Sequence, residues 1–181
     1  MSLRRFRLPT VVRQASDALL SHLRSLARRF VLVTTIVISV ICGLAAVSFH
    51  RYFELTRELL MEPALEQEGI AGVLLVVAIP TVVFVRLALI IRRFAPRAVG
   101  ANLARVRLAY HGDEKAIGPR AVIATFAATP ISLGAGAPLG PEGPIVVVTS
   151  GIAAAISRWL KLPPNLVRGM IPVGVAAGIS A

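Results

Sequence analysis

The chain has 181 residues, is 56% apolar and carries a formal net charge of +11, with a mean hydropathy of +0.76. That hydropathy excludes an ordinary water-soluble domain and points to an integral membrane protein. The basic excess does not mark a nucleic-acid binder, because the chain offers no aromatic-rich basic surface on which bases could stack.

Residues 1–29 carry seven arginines and one acid. Within them Val12, Ala15, Leu19, Leu23 and Leu26 fall at helical spacing, with Arg13, Arg24 and Arg28 elsewhere on the wheel. This predicts a basic amphipathic segment on the cytoplasmic face, near anionic lipid. Residues 30–181 are read as the membrane domain. Phe30 to Phe49 is free of charge over twenty residues, about 30 Å of helix and enough to cross the hydrocarbon. No small-x-small cleavage site follows it, so it is expected to be retained. Cys42 lies inside this run and is the only cysteine, so no disulfide forms within the chain.

Residues 50–68 carry five glutamates and two arginines, and Glu54 to Glu68 is expected to link two spans. Gly69 to Ile91 is a second span, interrupted by Pro80 and Arg86. Residues 92–120 are basic again, with six arginines and one lysine against two acids. Basic, acidic, basic is the positive-inside order for a cytoplasmic N-terminus and an outward first loop. The stretch from Tyr110 to Lys115 is a polar turn, and Ala116 to Leu133 is a third, weaker span. Pro144 to Ile156 and Leu166 to Ala181 are apolar but short, as in helices that stop partway across a bilayer. Trp159 beside Arg158 and Lys161 reads as an interfacial anchor, and Asn165 as a cap of the last helix. The expected fold is all-α and polytopic.

Glu142 is the only carboxylate after Glu114. An acid flanked by apolar segments is costly in a membrane and implies a task. It sits in Gly-Ala-Gly-Ala-Pro-Leu-Gly-Pro-Glu-Gly-Pro, residues 134–144. Glycines let backbone approach a ligand, and a helix start just after them offers free N–H groups and positive dipole to an anion. His22, His50 and His111 fall in different segments without metal-ligand spacing, so no metal site or cofactor is expected. No His, Asp, Cys or Lys accompanies Glu142 in the motif, which argues against an enzyme.

Leu139-Gly140-Pro141-Glu142-Gly143-Pro144, with Ile-Val-Val-Val after it, resembles the glycine-glutamate-glycine-proline signature of CLC chloride channels and proton-coupled chloride antiporters. Arg92 to Pro96 with Gly100, and the small-residue run Val173 to Ala181, extend the resemblance. It implies an anion transporter of the cell membrane, voltage-gated in some members, with chloride or another small anion as substrate and possible proton coupling. It also implies Glu142 as the gating acid, which occupies an anion site and leaves it on protonation. Gly140, Gly143 and Ile145 would supply amides there, and Gly100, Ala101 and Asn102 the second anion loop. Pro141 stands where the family usually has a basic residue, and Ala101 where it has the serine that coordinates a central anion. The family fold has two inverted halves and assembles as a homodimer; this chain resembles most of the first half, ends within an apolar helix, and is expected to be a fragment or truncated product. A non-conducting membrane scaffold is the alternative.

Overall fold

The structure, a computed structural model, describes residues 10–96, 103–112 and 116–181, with side chains described from Arg28 onward. Seven helices follow in order among these residues: α1 (Thr10–Leu60), α2 (Glu62–Leu65), α3 (Ile70–Phe94), α4 (Leu103–Tyr110), α5 (Pro119–Gly134), α6 (Glu142–Trp159) and α7 (Pro164–Ser180). No strand occurs among the described residues, and the protein is an all-α membrane protein. Two segments are long and apolar enough to cross a bilayer, Arg28–Leu65 and Ile70–Phe94.

The chain divides into two compact units, residues 1–37 and 38–181. In the first, Phe30, Leu32, Val33 and Ile36 are each more than half exposed, a composition that suits contact with lipid. Thr34 and Thr35 donate their hydroxyls back to the Phe30 and Val31 carbonyls at 2.8 and 2.9 Å, so neither presents an unpaired polar group to hydrocarbon.

Three expectations change. The first span does not end near Phe49: helix continues to Leu60, through Glu54 and Glu58. Those residues are good helix formers, and Glu54 meets His50 at 3.3 Å and Arg51 at 3.6 Å on the same helix. The third span contracts to the sixteen residues of α5. Pro119 fixes its first turn, and a Schellman closure ends it: Ala137 N–H donates to Ser132 O, and Gly136 N–H to Leu133 O, with Gly136 at φ +96°. Asn165 is not a cap, because α7 starts one residue earlier with Pro164 in its first turn.

The second unit is organised around α6. Val146, Val147, Val148, Thr149, Ser150, Gly151, Ala153, Ala154 and Ser157 are all buried. Val106 and Ala109 of α4, Ile117, and Ile171 of α7 join Val146, Val147 and Ala154 in one apolar cluster. Helix α7 packs closest. Its Gly174 and Gly178 are four apart and both face Thr149: a Cβ on Gly174 would stand 2.6 Å from the Thr149 carbonyl and 2.7 Å from Ala153 Cβ. Small residues at this spacing let two helix backbones approach where lipid supplies no hydrophobic drive. Polar side chains in the interior are satisfied locally. Thr149 and Ser157 donate to the Ile145 and Ala153 carbonyls, and Cys42 Sγ lies 3.3 Å from the Thr149 carbonyl.

Candidate functional site

The Schellman closure at Gly136 turns the chain out of α5 and delivers it to the start of α6. Glu142 is the first residue of α6, with Pro141 at the N-cap (φ −72°, ψ −17°) and no side chain capping the helix. Helix geometry leaves the Glu142 and Gly143 amides without helical acceptors, and Pro144 has no amide hydrogen. The Ile145 amide differs. It donates to the Pro141 carbonyl at 3.0 Å, because the fourth helical residue is the first whose hydrogen the helix itself takes up. Ile145 therefore closes the helix turn and does not present a spare donor.

Gly140 has a definite geometric reason. A Cβ there would stand 3.3 Å from Glu142 Oε2, so the carboxylate folds back over Gly140 and a larger residue would crowd it. At Gly143 a Cβ would meet nothing within 4 Å. Gly140, Glu142 and Gly143 are all exposed. Gly100, Ala101 and Asn102, the expected second anion loop, lie outside the described residues.

Glu142 and Ile145 line a cavity of about 220 Å³ together with Ala46 and His50 of α1, Gly178 and Ile179 of α7, and Ala181. A second cavity of about 260 Å³ shares His50 and Ala181 and is bounded by Val47, Arg51 and Glu54. Sequence reasoning missed His50 here. It treated the histidine as isolated, and only the packing of α1 beside α6 and α7 brings it to the cavity that Glu142 lines. No linear spacing signals that meeting. Among the described residues, no cluster of three or more His, Cys, Asp or Glu forms a metal-binding group.

The arrangement places a carboxylate against the positive end of a helix dipole, an interaction typically about 0.3–1 kcal/mol. A helix start of this kind is also the type of place where small anions bind.

A sequence profile described as voltage gated chloride channel matches residues 81–181. Chloride channel protein 1 from Rattus norvegicus is 27% identical over 127 residues, covering 66% of this chain and 12% of that protein. The Mus musculus and Homo sapiens proteins of the same name are 27% and 28% identical over the same length. The chain thus spans about 12% of the length of the curated relatives it matches.

Proposed function

The chain belongs to the voltage-gated chloride channel family, and from that premise we propose that it forms part of a membrane pathway for chloride or a similar small anion, with Glu142 as its gate. The observation that carries this reading is the position of Glu142: first residue of α6, folded over Gly140, on a cavity walled by α1 and α7. A carboxylate there mimics the permeant anion and blocks the site while ionised. When it takes up a proton the attraction to the helix start is lost and an anion enters. The work is translocation rather than bond chemistry.

Three groups from α1 surround this event. His50 lines the Glu142 cavity, and Arg51 and Glu54 line the adjoining one. The N-terminus lies on the cytoplasmic side of the cell membrane and the Glu54 to Glu68 region on the outside, following the distribution of positive charge. A complete pathway takes helix ends from a second inverted half, and the assembly is a homodimer, as the family resemblance implies.

The test is chloride efflux from vesicles containing the protein that carries this chain. Flux that saturates with chloride and vanishes in protein-free vesicles supports the pathway. No flux above the empty-vesicle rate, from protein shown to be folded, leaves a non-conducting scaffold. A simultaneous proton measurement separates channel from antiporter.

A further inference from the structure

An apolar recess of the second unit lies away from Glu142, between α3 and α5. It measures about 480 Å³ and is walled by Leu87, Ile90, Ile91, Phe94, Ile123 and Ala127 among others, with Arg120 the sole charged group on its lining among the described residues. The direction of the two helices decides which charges gather at its ends. A Cβ on Gly136, just past the end of α5, would stand 3.8 Å from Pro80 Cγ in α3. The end of α5 is therefore level with Pro80. Arg120 lies fourteen residues before Gly134, roughly 21 Å back along α5, and the same distance along α3 from Pro80 reaches Phe94. The helices are antiparallel, and Arg120 sits at the level of Arg92 and Arg93. Both of those arginines are exposed and belong to the last turn of α3. Among the described residues no ion pair involves Arg92, Arg93 or Arg120.

We propose that the α3–α5 groove binds an anionic phospholipid, its acyl chain along the apolar wall and its phosphate at Arg92, Arg93 and Arg120. Three observations favour lipid over a protein segment. The walls are almost wholly apolar, as an acyl chain requires. The charge is of one sign and collected at one end, matching an amphiphile with a single anionic head. Ile70–Phe94 is itself one of the two segments able to cross a membrane, and none of its most apolar window is buried. By the positive-inside rule the arginine end faces the cytoplasmic leaflet, where anionic lipids concentrate. The site is independent of Glu142, so its fate does not bear on the proposed pathway.

The experiment measures lipid retention on the delipidated protein by native mass spectrometry, offering dioleoyl phosphatidylglycerol or dioleoyl phosphatidylcholine at equal concentration. The parent is expected to prefer phosphatidylglycerol. Arg120→Gln should lower its retention about fivefold, since each arginine near a head group contributes on the order of 1 kcal/mol. Ala127→Phe, which fills the groove, should lower retention of both lipids. Equal retention of the two lipids by the parent overturns the proposal, as does unchanged retention in both variants. If Arg120→Gln does not fold, added salt on the parent takes its place: it should erase the preference, and a preference that survives salt counts against the site. Inorganic phosphate at matched ionic strength should displace lipid no better than chloride does; specific displacement would mean a free-phosphate site and refute the lipid. A photo-crosslinker placed at Ala127 in vesicles should yield lipid adducts. Peptide adducts alone, from a second copy or another segment, also refute it.

Discussion

Helix α7 contains an internal control for the claim that glycine sets the α6–α7 approach. Gly174 faces α6 so closely that a Cβ would stand 2.6 Å from the Thr149 carbonyl and 2.7 Å from Ala153 Cβ. Neither obstacle is a flexible side-chain end: one is backbone, the other is fixed to it. Gly174→Ala must therefore push the helices apart, which costs about 1–3 kcal/mol by the usual measure of overpacking. Gly169 lies on the same helix, and a Cβ there meets nothing within 4 Å. Gly169→Ala should stabilise the helix by roughly 0.5–1 kcal/mol through lower backbone entropy. The same one-atom change is thus expected to act with opposite signs five residues apart. Adding Ala153→Gly to Gly174→Ala should recover part of the loss but not all, because the Thr149 carbonyl stays in place. Reversible unfolding in mixed micelles, monitored by circular dichroism, reads all four proteins. If Gly174→Ala is no less stable than Gly169→Ala, the close approach is not a real constraint and the reasoning fails.

Three further outcomes are expected. Gly112 has φ +116° and its missing Cβ would lie 2.9 Å from Arg168 Nη2; Gly112→Ala should lose about 1–3 kcal/mol in the same unfolding assay, and an unaffected midpoint would contradict the strained turn. Thr56 is buried with Oγ1 2.9 Å from the Pro130 carbonyl; Thr56→Val should cost about 0.5–1.5 kcal/mol, and a neutral result would assign that hydroxyl wholly to its own helix. Cys42 is fully buried, so a membrane-impermeant maleimide should not touch the parent; a cysteine at Glu58 should label from outside and one at Arg5 should not, while the reverse pattern would invert the orientation.

How far the sequence carried depended on whether each feature was local. The span after Arg29 was legible because twenty charge-free residues have few other uses, and the start of α6 because a lone acid stood among glycines and prolines. The extension of α1 to Leu60 was not. A run of glutamates looks like a solvated link, yet the pairing of Glu54 with His50 and Arg51 on one helical face supports helix just as well. The shortness of α5 came from the chemistry of its ends, Pro119 and the left-handed Gly136, which outweighed the apolar run between them. Two features were beyond any linear reading. The seat of Gly174 and Gly178 on Thr149 and the arrival of His50 beside the Glu142 cavity both depend on which helices pack together. Ile145 was expected to supply an amide near the anion site, and counting donors along the helix start assigns its hydrogen to the Pro141 carbonyl.

The central claim is that Glu142 competes with the permeant anion at the start of α6. Glu142→Gln keeps the size and removes the charge, as protonation does. Chloride flux should be measured from pH 4 to 8 in vesicles holding the parent and Glu142→Gln, each normalised to folded protein. In the parent, flux should rise as pH falls, because proton uptake clears the carboxylate from the site. In Glu142→Gln that rise should disappear, together with any coupled proton movement. A parent-like pH profile and parent-like coupling in Glu142→Gln would contradict the account and leave Glu142 as a helix-start acid without a gating role.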